Sequence, residues 1–578
     1  MKNTLRRFFD ALDTEERTVA APLSDDSLGL TLRSAINELD WYYYNLARTT
    51  EPTDDAQEQF YILQLGTCRL IHLALVARSS FDVPVVMFPR NRDLTLRVLA
   101  TVSALGMIQH GRRVAQAVPL GIATVEELAE KRFVFKLPLS VPDDEYYERA
   151  VREHYYSESR HRFVSLLKTD AGKEVEAMVS SKLDELVFPF ARHFIGYGAD
   201  PLLDEFFFGL AYHDVQLQEG FDTFHYATRF GGVRFQNYIL ALTFVMATAF
   251  RHQRFAEALV RKDTSVRLEN VLTISADTAV FVESLRDAVN DLGSAFKDFE
   301  EISLDDAATV LRVLSCRRGN TAICEAPGSP LPLLIQCSDE GLIKCLTGAH
   351  SEPMRFLLES LRFHYPREYD SNQQGREESL QRSIQRVLDG GFDGLEYRPN
   401  IRARRRGQTL TDIDLAIIDS RTGIVILSQI KHQELYGANL HAKRIRGERL
   451  RSQVADWLAA VDEWEVAVGE RGLREALRVP SSCPPLRVYR LIVTRHFCYP
   501  LEQLVLGQDT MYATWPQFFN AVQLVTEKHR GRDVRMLVEV LRETRQSAEP
   551  VTHVVESPVE WTINDLRFVV QHGEAPVA

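Results

Sequence analysis

The sequence predicts a multidomain protein with a mainly α-helical N-terminal region, a small β-containing insert and a C-terminal α/β domain built on a central mixed sheet. A chain of 578 residues is long enough for three or four domains of about 150 residues each. Apolar residues recur at helical spacing through most of the first half, whereas β-branched runs bounded by turn residues follow in the second. We expect the following divisions: a helical domain at 1–137, a second helical domain at 138–303, the insert at 304–350, the α/β domain at 351–545 and a C-terminal extension at 546–578.

The helical assignment of the N-terminal region depends on periodicity and on the residues that interrupt it. Segments 57–76 and 94–108 carry apolar residues at helical spacing. Residues 136–144 contain two prolines followed by two aspartates, a pattern that ends one domain and opens the next helix. The most apolar stretch, residues 238–250, is too short to cross a bilayer, so we expect a buried helix there.

The insert is predicted from a change in residue pattern after residue 304, from helical spacing to strand-like composition. Segments 331–337 and 341–346 have the composition of two short strands, and 321–324 of a third. Four cysteines lie in this part of the chain with the spacing C-x7-C-x12-C-x7-C. Because close C-x2–4-C pairs are absent, we interpret them as packing residues, with a structural metal as the alternative.

The distribution of charge distinguishes one segment from the rest. The chain has a formal net charge of -12, which argues against a protein coated uniformly with basic residues for nucleic-acid binding. Residues 396–451 nevertheless hold 12 Lys or Arg and 6 Asp or Glu. An acidic chain can still bind a polyanion through one basic face of this kind.

Composition also predicts the compartment. The first 18 residues lack the apolar core of a signal peptide, and 7 cysteines in so long a chain do not indicate a disulfide scaffold. We therefore expect a cytoplasmic protein without membrane contact.

The most informative pattern begins with an acidic strand that precedes a turn. Ile413 and Leu415 alternate with Asp412 and Asp414, which predicts that the two carboxylates project from one face of a strand. Residues 419–423, Asp-Ser-Arg-Thr-Gly, supply the residues of a tight hairpin turn.

The strand after the turn is predicted to be buried at the centre of a sheet. Residues 424–430 are almost all β-branched or aliphatic. At the end of this run, Gln429 and Lys431 share a face because strand side chains repeat every two residues. A lysine and a carboxylate on a buried sheet are costly unless they are paired or bind a ligand.

This arrangement resembles the PD-(D/E)XK nuclease superfamily, in which an acidic residue of one strand is followed by a (D/E)-x-K tripeptide at the end of the next. Here Asp414 matches the first acid, Gln429 the second and Lys431 the lysine. The glutamine departs from the commonest pattern, but a Q-x-K form occurs in Mrr-like restriction nucleases. The resemblance covers about residues 352–525 and implies a restriction-endonuclease-like fold there.

The resemblance implies a metal-dependent site. Mg²⁺ or Mn²⁺ would be bound by Asp414, by the side-chain oxygen of Gln429 and by the backbone carbonyl of Ile430. Lys431 would orient or help deprotonate the attacking water. Nucleases of this kind often carry a further acid on the preceding helix, and Glu377 is our choice because it precedes Leu380, Ile384 and Val387 on the same helical face, with Glu378 next; an acidic pair that favours the helix dipole is the alternative.

The basic segment supplies candidate DNA contacts. Arg404, Arg405 and Arg406 directly precede the acidic strand, and Lys443 and Arg444 open the helix that follows Lys431. On the same helix, Gln453 borders the apolar stripe and is a further candidate for phosphate or metal-bound water.

The sequence therefore predicts a metal-dependent DNA endonuclease, with a role in bacterial restriction or anti-phage defence as an architectural analogy. DNA is the expected partner, and self-association or other defence-system subunits are further candidates for the N-terminal region. The alternative is a catalytically inactive nuclease-fold protein that binds nucleic acid or scaffolds a complex.

Overall fold

The computed structural model describes most of the chain and shows a helical N-terminal region together with several sheets. The described residues are 2–24, 27–83, 90–120, 123–138, 165, 167–190, 194–219, 224–433, 440–498, 500–501, 504–528, 534–546 and 558–573. The helices up to residue 371 are α1 (Lys2–Ala20), α2 (Leu28–Leu46), α3 (Asp54–Ala77), α4 (Arg92–Ala115), α5 (Asp170–Leu186), α6 (Pro201–Glu219), α7 (Phe235–Lys262), α8 (Thr278–Gly293), α9 (Leu304–Leu314), α10 (Leu346–Ser351), α11 (Pro353–His364) and α12 (Pro366–Ser371).

Local sequence accounts for where several of these helices begin. Thr53 caps α3 by accepting a hydrogen bond from the backbone N–H of Ala56, and Asp54 and Asp55 complement the helix dipole in its first turn. Ser303 and Asp306 form a reciprocal capping box at the start of α9. Such caps satisfy backbone N–H groups that have no partner within the helix.

One large hydrophobic core joins the helices of the N-terminal region. It also includes residues of two short hairpins, β3 (Val187–Phe190) with β4 (Phe194–Tyr197) and β5 (Arg229–Phe230) with β6 (Val233–Arg234). The predicted apolar helix at residues 238–250 is confirmed, because it lies within α7 and its side chains from Tyr238 to Val245 are almost all buried. Among the described residues, α3 is long and apolar enough to cross a membrane, and 56% of its apolar window is buried inside the protein.

The predicted insert is part of this same core. Strands β8 (Ser315–Cys316), β9 (Leu334–Gln336) and β10 (Gly341–Lys344) join β7 (Ile274–Asp277) in a sheet of order β7-β10-β9-β8. Two of the three predicted strands are thus confirmed. The third is wrong: it lies in a 3-10 helix, Arg318–Cys324, in which the Asn320 side chain accepts a hydrogen bond from the backbone N–H of Arg317.

The cysteines of this region are packing residues, as predicted. All seven cysteines are free and buried. Cys316 and Cys324 lie with their sulfur atoms 3.5 Å apart, whereas Cys345 faces the carboxylate of Asp40. The four predicted as a possible metal site therefore point to different neighbours, and the described residues form no His, Cys, Asp or Glu cluster suited to a metal.

Two hairpins that are far apart in the chain meet in a second sheet. Strands β1 (Thr124–Ala129) and β2 (Arg132–Pro138) form a hairpin, and β16 (Val559–Ile563) and β17 (Leu566–Gly573) form another, with β17 parallel to β2. Residues 124–138 are thus strands rather than the predicted end of a helical domain, because aromatic and β-branched residues alternate there. The rings of Phe8, Phe135 and Phe568 pack in the core beneath this sheet.

A five-stranded mixed sheet occupies the C-terminal region, in the order β11-β12-β13-β14-β15. The first three strands are antiparallel, and β13, β14 and β15 are parallel. Its strands and helices are α13 (Gln373–Gly391), β11 (Glu396–Arg405), β12 (Gln408–Asp419), β13 (Ile424–Lys431), α14 (Leu440–Leu477, with a break at Gly469), β14 (Arg487–Thr494), β15 (Thr510–Thr514), α15 (Trp515–Lys528) and α16 (Val534–Gln546).

Two hydrophobic cores cover the two faces of this sheet. On one face, α13, α15 and α16 pack against residues that include Leu415 and Ile430. On the other face, α14 packs Trp457 and Val461 against residues that include Ile413. Helix α11 belongs instead to the N-terminal core, so the packing of the C-terminal sheet begins with Leu380 of α13.

A half-buried ion-pair cluster ties the first helix to its neighbours. The carboxylate of Glu16 accepts hydrogen bonds from Arg69 at 2.7 and 2.9 Å and from Arg112 at 2.8 Å for each oxygen. Burial alone would raise the pKa of Glu16, but these two guanidinium groups outweigh it and lower the pKa to about 2. The cluster therefore stabilises the fold most when Glu16 is ionised.

We predict that Glu16→Gln lowers the free energy of unfolding at pH 7 by about 3 kcal/mol, because two largely buried arginines lose their charged partner. A depressed carboxyl pKa contributes stability above the unfolded value of 4.5, and this contribution is lost as the pH falls through about 2. Chemical denaturation of both proteins between pH 2 and 7 measures the difference. Glu126→Gln, which breaks the exposed pair with Lys136, is the control and should change stability by less than about 1 kcal/mol. A difference for Glu16→Gln that does not shrink on acidification would contradict this account.

Candidate active site

The candidate site lies where two neighbouring strands separate. Strand β12 pairs with β13 from Asp419 opposite Ile424 to Leu415 opposite Ser428, and the pairing ends there. The inside–outside alternation of β12 also breaks at this point, since Ile413 packs on the α14 face and Leu415 on the α13 face. The prediction that Ile413 and Leu415 lie on the same face of the strand is therefore wrong.

Asp414 occupies the point of separation and bonds across the gap. Its Oδ2 atom accepts a hydrogen bond from the Gln429 side-chain nitrogen at 2.7 Å and from the Ile430 backbone N–H at 2.6 Å. The Gln381 side-chain nitrogen donates to the backbone carbonyl of Asp414. Separation of the strands leaves this N–H and this carbonyl without ladder partners, and side chains supply the replacements.

Glu377 approaches the same point from α13, one turn before Gln381. The backbone N–H of His432 donates to its carboxylate at 3.4 Å, so Glu377 contacts the chain immediately after Lys431. Glu378, the second choice from the sequence, is exposed. The structure thus brings Glu377, Asp414, Gln429 and Lys431 together, as expected from the sequence pattern.

Burial and mutual repulsion disfavour the ionised forms of the two carboxylates of the site. Burial raises the pKa of Asp414 above its ordinary value, and the Ile430 N–H, Lys431 and Gln429 offset part of that rise. Burial likewise raises the pKa of Glu377; Lys431 offsets part of it, while the charge of Asp414 adds to it. A cation held between these carboxylates would relieve both effects.

Lys431 stands at the carboxyl end of β13, beside the parallel strand β14. It lies opposite Thr494, and the backbone N–H of Arg495 donates to its carbonyl at 2.9 Å. Within the described part of the chain, no carboxylate oxygen lies within 4 Å of its ammonium group. The charge of Lys431 nevertheless acts on both carboxylates of the site, where it offsets part of the rise in the pKa of Asp414 and of Glu377.

The predicted DNA contacts fall into three groups. Arg404, Arg405 and Arg406 are exposed at the tip of the β11–β12 hairpin, where Arg405 pairs with Glu463 of α14. Arg444 is exposed at the start of α14, pairs with Glu448 at 3.2 Å and donates to the Leu120 carbonyl. The side chain of Lys443 lies outside the described residues.

One residue predicted from the sequence stays untested, and one residue that contacts the site was missed. Gln453 is exposed on α14, next to the buried Val454, and makes no hydrogen bond among the described residues. Gln381 is only 8% exposed and bonds to the Asp414 backbone. Its position four residues after Glu377, on the same face of α13, was the signal that could have identified it.

The site offers oxygen donors but no dense metal cluster. In the part of the chain that the structure describes, no group of three or more His, Cys, Asp or Glu residues is arranged to hold a metal ion. Two carboxylates, one amide and one backbone carbonyl are what this site supplies.

No family model, no curated protein and no solved structure matches this chain. The chemistry of the site therefore has to be inferred from its residues and their contacts.

We predict that Gln381→Met lowers the free energy of unfolding by about 1–3 kcal/mol, because the buried Asp414 carbonyl loses its donor. Gln385→Met is the matched control: it removes the same side chain one turn later on α13, where the structure describes no side-chain hydrogen bond. Chemical denaturation of the three proteins compares them. Equal stabilities of the two variants would remove Gln381 as an anchor of the strand.

Proposed function

We propose that this protein is a metal-dependent DNA endonuclease that hydrolyses phosphodiester bonds. The observation that carries the proposal is the convergence of Glu377, Asp414, Gln429 and Lys431 where β12 leaves β13. A restriction-endonuclease-like fold of the C-terminal region belongs to the same proposal. Its support is the order helix, three antiparallel strands, helix and parallel strand, which resembles that of PD-(D/E)XK nucleases.

The donor set fits Mg²⁺ or Mn²⁺, which prefer oxygen ligands. Two half-buried carboxylates that repel one another favour a cation between them, and the described residues leave Oδ1 of Asp414 without a hydrogen bond. Gln429 donates its nitrogen to Asp414 in this structure. A half-turn of its amide about the last side-chain torsion exchanges nitrogen for oxygen, and with the carbonyl of Ile430 this completes the proposed ligands.

Each residue has a distinct role in the proposed reaction. A bound divalent ion would neutralise charge on the phosphate and acidify a water molecule. Lys431 orients the attacking water and stabilises the negative charge that develops on the phosphate oxygens. Glu377 and Asp414 would hold the cation, and Gln381 keeps the backbone of Asp414 in place through its hydrogen bond.

DNA is the proposed substrate because the basic segment surrounds the site. The 396–451 interval carries six more basic than acidic residues, 12 against 6, within a chain of net charge -12. The N-terminal region would then regulate the nuclease, sense its target or mediate assembly with itself or other defence-system subunits. A role in restriction or anti-phage defence is part of this proposal and depends on architectural analogy.

A second candidate function is a nuclease-fold protein that binds nucleic acid without cleaving it. It is favoured by one observation: Gln429 and Ile430 already satisfy Oδ2 of Asp414 without a metal ion. A neutral glutamine also gives the site one charge less than an Asp or Glu would. The two candidates differ in whether purified protein cleaves plasmid DNA.

We predict that purified protein cleaves plasmid DNA with Mg²⁺ or Mn²⁺ and not with EDTA. Asp414→Ala and Lys431→Ala should each reduce cleavage at least about 100-fold, since each removes a transition-state interaction. Glu377→Gln should reduce it as well, whereas the adjacent, exposed Glu378→Gln is the matched control and should not. Agarose gels measure cleavage, and circular dichroism checks that the variants are folded. Near-parental cleavage by folded Lys431→Ala would remove the proposed active site. Cleavage in EDTA would contradict the metal requirement, and absence of cleavage by the parent would favour the second candidate.

A further inference from the structure

The β11–β12 hairpin extends beyond the strand that carries Lys431. Pairing of β12 with β13 stops at Leu415, whereas pairing of β11 with β12 continues to Arg405 opposite Gln408. Residues 401–412, here called the arm, therefore project past the end of β13, starting at the site. The arm contains four arginines and a single carboxylate, Asp412.

The two faces of the arm have different environments. Ala403 is fully buried and Ile401 partly buried against the core on α14, and the Trp457 ring nitrogen donates to the Asp412 carbonyl at 2.9 Å. Arg405, two residues after Ala403, points to the same side and pairs with Glu463 of α14. This inner face is therefore occupied by the protein itself.

Arg402 and Arg404 alternate with these residues and so project from the opposite, outer face. Both are exposed, and the structure describes no ion pair for either within 4 Å. The outer face is on the side of the sheet where α13 carries Glu377. Two unpaired guanidinium groups thus line an open surface that leads away from the candidate site.

Their spacing can be compared with that of a nucleic-acid strand. Asn400 lies opposite Asp414, because Pro399 pairs with Leu415 and Ile401 with Ile413. At about 3.3 Å per strand residue, Arg402 lies ~7 Å and Arg404 ~13 Å beyond Asp414 along the arm. A B-DNA strand rises about 3.4 Å per nucleotide along the helix axis and also winds around that axis, so neighbouring phosphates of one strand are ~7 Å apart. The two arginines therefore stand about one and two nucleotides from the site.

We propose that the outer face of the arm holds the DNA strand that is cleaved, with Arg402 and Arg404 contacting phosphates about one and two nucleotides from the scissile bond. This inference depends on the proposed endonuclease function and assigns its substrate contacts. It assigns a DNA contact to Arg404 but not to Arg405, although the sequence analysis treated both as candidates, and it adds Arg402 to the DNA contacts. Asp412 lies opposite Arg402 on the same surface, and its carboxylate offsets part of the positive charge there.

Single substitutions on the two faces test the proposal. Arg402→Ala, Arg404→Ala and Arg405→Ala remove the same charge within four residues. Binding of a fluorescent 20-base-pair duplex in EDTA, followed by anisotropy at several salt concentrations, gives the slope of log affinity against log salt. We expect Arg402→Ala and Arg404→Ala each to reduce the magnitude of that slope by about 0.9, the value for one phosphate contact, and Arg405→Ala to leave it unchanged. Unchanged slopes for the first two, or an equal change for Arg405→Ala, would overturn the proposal.

Neutral phosphates locate the contacts. A duplex with methylphosphonates one and two nucleotides from the mapped cleavage position should be cleaved at least about tenfold more slowly by the parent protein. The double variant Arg402→Ala/Arg404→Ala should cleave this modified duplex no more slowly than the parent protein does, because the charged contacts are already absent. If the methylphosphonates and the arginine substitutions instead reduced the cleavage rate independently, so that their effects multiplied, the two arginines would contact other phosphates. If the parent cleaves no DNA at all, the endonuclease function fails; if it cleaves and the arm variants behave as the parent, the arm assignment alone fails.

Discussion

Separation of β12 from β13 at Asp414 is the constraint on which the candidate site depends. Once the ladder ends, the Ile430 N–H and the Asp414 carbonyl have no strand partners, and buried backbone groups must be satisfied. The Asp414 carboxylate accepts a hydrogen bond from the Ile430 N–H, and the Gln381 amide donates one to the Asp414 carbonyl. The second bond fastens α13 to the sheet, and this attachment brings Glu377, one turn earlier, to the chain beside Lys431. The same separation frees the β11–β12 hairpin to extend past the site. The need to satisfy two buried backbone groups thus positions Glu377 and Asp414, and the same strand separation produces the arm.

The charge balance of the site explains how a glutamine can stand in an acidic position. Two half-buried carboxylates already repel one another, and burial raises the pKa of each. A third acid at position 429 would add to that repulsion in the metal-free protein. Gln429 instead donates a hydrogen bond to Asp414 and so stabilises the ionised carboxylate. The expected consequence of one negative charge less is a weaker affinity for a divalent cation.

Local sequence patterns predicted the elements of the C-terminal region better than their assembly. The acidic strand, the buried β13 and the helix carrying Glu377 could be predicted, since each shows its period within about ten residues. The broken alternation at Asp414 could not, because it arises from the loss of a partner strand. Residues 124–138 were missed for a related reason: their hairpin is completed by β17, more than 400 residues later in the chain. Pairing of Arg405 with Glu463 likewise depends on how α14 packs, which composition does not encode.

The most direct test of the central claim is a metal titration at position 429. Gln429→Glu keeps an oxygen in nearly the same place and adds a charge, whereas Gln429→Leu removes the oxygen at similar bulk. If Gln429 binds Mg²⁺ through its amide oxygen, the metal concentration for half-maximal cleavage should fall at least several-fold with Glu, and metal binding and cleavage should both be lost with Leu. Calorimetry with Mn²⁺ measures binding separately from cleavage. Equal metal requirements for Gln, Glu and Leu would contradict the account and leave position 429 as a packing residue beside Asp414.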